Sequence, residues 1–244
     1  RITAELWETH FFDLVGLQGV DHPAGTEVHV DERFSIPPPS LEPVVTGPVR
    51  PVDRAMDDRG GDHSAAVAER DGVHAASVPL GRYQGVTVDH GLEVTVLDPP
   101  PSLPAGETDA GAGDVAAGAE AESEAPDSAG AAPARGPWLV AHGWVYPTDS
   151  SLNVALSQGS HPPPAGLRLE VPDEAAPSGW RTHRDGLGFP AGKRKTLLID
   201  LADVPRTAEG ALRVRLATNL EVYWDALGVA EARPESARMT PAVL

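Results

Sequence analysis

Residues 138–146 read Trp-Leu-Val-Ala-His-Gly-Trp-Val-Tyr. Trp138, Val140, His142, Trp144 and Tyr146 alternate with Leu139, Ala141, Gly143 and Val145, so at a period of two both faces are at least half apolar. That pattern describes a central strand covered on both sides. The segments that follow extend it. Leu152, Val154 and Leu156 alternate next, then Leu167, Leu169 and Val171, then Leu197, Ile199 and Leu201. Leu212, Val214 and Leu216 follow, with Arg213 and Arg215 facing water, and a last strand runs from Leu220 to Val229. Turn-forming clusters separate the runs, notably Ser160 to Pro164 and Asp173 to Gly179, and no segment sustains a helical period. Short strands at this spacing predict a mostly β protein with an antiparallel β-sandwich of jelly-roll, galactose-binding-like design over residues 137–232.

Upstream, Phe11 to Val20 and Thr26 to Phe34 read as a hairpin joined through Asp21-His22-Pro23-Ala24-Gly25, a connection rich in turn formers. Pro37 to Pro51 reads as extended and irregular, and Ser64 to Arg70 as a short helix capped by Ser64. Val86 to Leu97 predicts two strands around His90-Gly91, the second joining the downstream sandwich. Pro104 to Gly136 is dominated by Ala, Gly, Ser and Pro, with seven acidic residues against the single basic Arg135. Such a stretch cannot bury enough apolar surface to offset its ordering entropy, so a disordered linker or expanded loop is expected, acting as a solvated spacer. The expected division is a smaller β-rich N-terminal lobe over 1–98, the acidic linker over 99–136, the sandwich over 137–232 and a tail over 233–244. Trp7 to Leu17 can be laid beside Thr218 to Val229, each with an aromatic pair, an Asp and an apolar stretch with Gly. The match predicts that the first residues close a preceding sandwich, and that the chain is a fragment of a larger protein.

Composition narrows the function classes. With 36 acidic against 19 basic residues and a formal charge of −17, the chain would repel a polyphosphate backbone, which disfavours nucleic acid. No run approaches the ~18 apolar residues of a spanning helix. Cysteine is absent, which removes disulfides, thiolate metal sites and cysteine nucleophiles together.

The phrases at Phe12 to Phe34, Pro79 to Gln84, Gly143 to Gln158, Gly188 to Leu201 and Thr218 to Asp225 resemble the C-terminal region of bacterial cartilage-acidic-protein-type proteins, which carry FG-GAP propeller repeats and an ASPIC/UnbV segment. The resembling stretches span nearly the whole chain apart from the linker, and none is a catalytic signature. The resemblance implies a secreted or cell-surface location and a non-catalytic binding or adhesive role beside other domains of the parent chain. Neither the propeller repeats nor the ASPIC/UnbV segment occurs in these residues, so a calcium requirement does not carry over.

Catalytic motifs fail one by one. There is no G-x-S-x-G and no cysteine, and Gly192-Lys193 lacks both the first glycine and the Ser or Thr of a phosphate loop, having Leu187 and Arg194 in their places. Asp57, Asp58 and Asp62 around Gly60-Gly61 lack the distal bidentate Glu of a calcium loop and read as a solvated turn. His22, His90, His142, His161 and His183 lie on separate elements without zinc-site spacing. Neither a metal nor a cofactor is expected.

The candidate ligand-binding residues are Trp144, Tyr146, Asn153, Trp180, Arg181, Asp185 and Tyr223. Flat aromatic faces cover the apolar side of a pyranose while amides and charged groups bind its hydroxyls. The competing reading places the aromatics in the core, above all Trp224, which alternates with Leu220 and Val222; Trp180, between Gly179 and Arg181, is the best exposed candidate. Arg181, His183, Arg184, Lys193, Arg194 and Lys195 form a basic concentration that reads first as a solvated loop, and that a long hairpin over 180–195 would assemble against an anion or the acidic linker. The expected function is a non-catalytic module for recognition of a carbohydrate or protein partner. Two alternatives stand beside it: an accessory region of an enzyme with Asp185, Glu221 and Asp225 lining a cleft, and a purely structural packing domain.

Overall fold

The computed structural model describes residues 17–75, 78–102, 135–192, 194–234 and 238–242. All of the repeat at Trp7 to Leu17 except Leu17 itself, most of the first expected hairpin strand, the body of the acidic segment and Lys193 lie outside the described residues.

The protein is mostly β, and two antiparallel sheets pack as a sandwich. The four-stranded sheet has the order β10 (Lys195–Asp200), β7 (Trp138–Val145), β12 (Val222–Ala230), β4 (Arg50–Pro51). The five-stranded sheet has the order β5 (Arg54–Asp57), β6 (Val86–Val96), β11 (Leu212–Leu220), β8 (Arg168–Pro172), β9 (Trp180–Arg184). Alternate residues of each strand meet in one core. Leu139, Ala141, Leu197, Ile199 and Leu227 come from the first sheet, and Leu92, Val94, Leu169, Val214 and Leu216 from the second. Fully burying each such Leu, Ile or Val contributes about 1.5–3 kcal/mol, which is why the period-two pattern dominates the fold.

Strands upstream of the acidic segment complete both sheets: β6 pairs with β11 along nearly its whole length, and β4 pairs with β12 at Pro51 and Arg50. The sandwich therefore is not confined to 137–232. Residues further upstream form β2 (Glu27–His29) and β3 (Val44–Thr46), which pair with each other. Val44 and Val49 pack with Trp138 on Val140, Leu198 and Ala230, so the outer face of the four-stranded sheet is covered. Residues 31–34 then run along β10, with backbone contacts from Glu32 to Thr196 and between Phe34 and Phe189, and shield that sheet edge.

Several sequence expectations are corrected. Leu152, Val154 and Leu156 lie in a helix, α1 (Ser150–Gln158), not a strand. Asp149 caps it by accepting the Leu152 N–H at 2.7 Å, and Leu152 and Leu156, four apart, face the core while Val154 is 53% exposed. Val86 to Val96 is one strand, since Gly91 is a space rather than a turn: a β-carbon there would lie 2.6 Å from the Arg215 guanidinium carbon that crosses it. The turn at 22–26 forms, with the Thr26 hydroxyl donating to the Pro23 carbonyl, but its flanking strands do not pair with each other. β1 (Leu17–Asp21) instead pairs with β13 (Arg238–Ala242), in the segment expected as a tail. Ala65–Val67 is a single 3-10 turn, and Ser64 accepts from the Ala55 N–H instead of capping it.

Candidate functional site

One end of the sandwich gathers the loops that follow β7 and precede β6, β8, β10 and β12. Its walls form two adjoining depressions that share Thr148 and Pro164. One, of about 260 Å³, is lined by Val145, Tyr146, Pro147, Phe189 and Leu220 and is apolar. The other, of about 610 Å³, is lined by Asn153, Ser157 and His161 with Leu156 and Pro163. Together they make a groove with an apolar stretch and a polar stretch.

Local bonding fixes this geometry. Asn219, buried at the end of β11, accepts the Ala165 N–H at 2.7 Å and donates to the Pro163 carbonyl at 2.9 Å, while Thr218 donates to the Ala165 carbonyl at 2.7 Å. The 160–167 loop is thereby tied to the sheet. Glu221, in the next turn, accepts the Gly85 N–H at 2.8 Å and the Tyr223 hydroxyl at 2.5 Å. Burial, and then the bond to Glu221, push the Tyr223 phenol up to about 12, so it stays a neutral donor.

Trp144 and Tyr223 are cross-strand partners and stack with ring centroids 4.5 Å apart at 15°. Tyr146 tilts against Trp144 at 5.9 Å, and His74 meets Trp144 and Tyr223 edge-on at 5.8 and 6.4 Å. The stack engages one face of Trp144 and one of Tyr223, and Tyr146, 38% exposed, is presented to the groove together with Phe189. At the other side of the groove Tyr83 meets His161 edge-on at 5.5 Å.

The expected site residues divide into separate places. Trp144, Tyr146 and Tyr223 form one cluster on the four-stranded sheet, and Asn153 on α1 lines the polar part of the adjoining groove. Trp180 and Arg181 lie on the five-stranded sheet, opposite Pro172 and Val171 at the end of β8 remote from the groove loop. There Trp180 is half-buried beneath the Arg213 guanidinium, 5.1 Å from its ring centre, and Arg181 reaches Asp173 at 4.0 Å. Asp185 accepts the Gly186 N–H at 2.7 Å and is exposed. The basic concentration is not assembled by a hairpin, because β9 and β10 belong to different sheets; His183 and Arg184 face Asp203 at 3.1 and 3.5 Å. Trp224 is 3% exposed and packs inside.

Sequence reasoning missed a β-bulge in β12. Register shifts between Trp224 and Ala226, so the core positions change phase from Val222 and Trp224 to Leu227 and Val229. That phase change is visible in the sequence as two apolar alternations one residue out of step. The bulge turns Asp225 to the outer face, where it accepts the Gly72 N–H at 2.8 Å and is 1% exposed. Gly143 opposite the bulge has no room for a β-carbon, which would lie 2.6 Å from the Tyr223 carbonyl and 2.9 Å from the Trp224 ring.

No family model, no curated protein and no solved structure matches this chain.

Proposed function

We propose that the chain is a non-catalytic recognition module that binds a carbohydrate in the groove at the α1 end of the sandwich, within an exported protein. The observation that carries this reading is the groove itself: Tyr146 and Phe189 line its apolar part and Asn153, Ser157 and His161 its polar part. An apolar surface with a few polar anchors suits a pyranose, whose faces are apolar and whose rim is hydroxylated. The enzyme alternative needs free carboxylates in a cleft. Glu221 and Asp225 are 7% and 1% exposed and hold backbone N–H groups, which favours recognition over catalysis. A glycan-binding screen on the full chain tests the reading, because strands on both sides of the acidic segment build the sheets. Tyr146→Ala and Asn153→Ala should each weaken any hit by about tenfold, and a screen without a single hit would sink the proposal.

Packing against a protein partner or neighbouring domain is a second reading with its own observation. Phe34, Ile36 and Leu41 are 55%, 90% and 74% exposed along a strip that contains Pro37, Pro38 and Pro39. Replacing Ile36 and Leu41 with Ser would weaken association with such a partner and leave the glycan screen unchanged.

A further inference from the structure

Away from the groove, a cavity of about 150 Å³ lies between the outer face of the four-stranded sheet and the segments that cover it. Glu27 and His29 of β2, Arg70 beyond the 3-10 turn, and His142 and Thr196 of the sheet supply its polar walls, and aliphatic side chains complete it. Arg70 Nη2 donates to His142 Nε2 at 3.1 Å, which leaves the ring proton on Nδ1, 3.4 Å from Thr196 Oγ1. Among the described residues no carboxylate lies within ion-pair reach of Arg70, so most of its planar fork has no anionic partner. Glu27 stands opposite in sign: Oε1 accepts the Val49 N–H at 3.1 Å and Oε2 lies 3.8 Å from His29 Nε2.

Burial and the Arg70 cation hold the His142 imidazole down to about 4, and burial lowers that of His29, so both rings are neutral hydrogen-bonding groups near pH 7. Asp225 lies 3.8 Å from His142, and Glu32 and Arg194 also act on that ring. Of the charged groups that line the cavity, a lone anion would meet Glu27 as well as Arg70, and a lone cation would meet Arg70 as well as Glu27. A molecule carrying both charges satisfies both signs at once. A cavity of about 150 Å³ admits a molecule of roughly six heavy atoms.

We propose that this cavity binds a small zwitterion, an amino acid with a short side chain, with its carboxylate on the Arg70 fork and its ammonium on Glu27. His29 and Thr196 complete the hydrogen bonding, and the aliphatic walls limit the side chain. The test is a titration of the full chain with alanine, following the imidazole proton NMR signals of His29 and His142. Alanine should shift both saturably, while acetate and methylammonium, each with only one of the two charges, should shift neither over the same range. Arg70→Met and Glu27→Gln should each weaken alanine binding by about tenfold or more. Signals that alanine leaves unmoved through the millimolar range would overturn the proposal. Acetate binding as tightly as alanine would overturn it too, since Glu27 would then have no part in recognition. Both outcomes are read on the unmodified chain, whether or not the variants fold.

Discussion

The two outer faces of this sandwich solve the same problem in opposite ways. On the five-stranded sheet the outward residues are charged and paired across strands: Arg213 with Glu93 at 2.6 Å, Arg215 with Asp58 at 2.7 Å and Glu170 at 2.5 Å, and Arg168 with Asp89 at 2.8 Å. Burial would lower the Arg215 pKa, but the bonds to Asp58 and Glu170 outweigh it and the net shift is upward. On the four-stranded sheet the outward residues are Val140, Leu198 and Ala230, with His142 and Asp225 among them, and β2 and β3 lie over that sheet. One face is stabilised by ion pairs whose outer members, Asp58, Asp89 and Arg213, water can reach, the other by apolar burial that makes its few polar groups expensive to charge. The contrast means that equal-sized truncations on the two faces should have unequal effects.

The largest effect is expected from Leu198→Ala on the covered face. It removes a side chain from a layer where Leu198 is 2% exposed, and should lower unfolding free energy by about 2–5 kcal/mol in urea titrations. A loss under about 1 kcal/mol would show that the covering segments do not pack as described.

Next comes pH. The folded-state value of about 4 for His142 lies below its ordinary 6.5, so the folded state resists protonation. The associated stability is fully present above pH 6.5 and is lost as pH falls from there toward 4, by about 2–3 kcal/mol. His142→Phe should flatten that slope; an unchanged slope would assign the acid sensitivity elsewhere.

On the open face the effects should be smaller. Arg215→Met keeps the aliphatic stem over Gly91 but leaves Asp58 without its cation and Glu170 with Arg168 alone, for a loss of about 1–3 kcal/mol by denaturant melts. Smallest is Arg213→Ala, whose side chain is 44% exposed and whose pairing with Glu93 contributes about 0.2–1 kcal/mol, reduced further by added salt. Finding Arg213→Ala as costly as Leu198→Ala would erase the distinction between the faces.

The same contrast explains what could be read in advance. The open face was legible because Leu212, Val214 and Leu216 alternate with Arg213 and Arg215, and water selects that alternation directly. The covered face was legible only in part. Residues 138–146 show that both sides of β7 are apolar, but the covering strands are three residues each and carry no periodicity to announce them. Leu152 and Leu156 fit a strand and a helix equally well, and Asp149 as a cap was the cue that separates the two. Tyr146 and Asn153 could be nominated from residue type, and they line adjoining parts of one groove. Trp180 could not be separated from them without topology, because strand period says nothing about which end of which sheet a residue occupies. Arg70 and His142 are 72 positions apart, and only the packed fold brings them together.

The pairing of Leu17–Asp21 with Arg238–Ala242 closes the described chain nearly into a ring. A short bridge across that pair, combined with removal of residues 103–134, would yield a circular permutant that begins at Arg135 and keeps the order of strands in both sheets. In engineering terms the β1–β13 pair holds two points more than two hundred residues apart side by side, a junction at which a host loop could be joined without being forced apart.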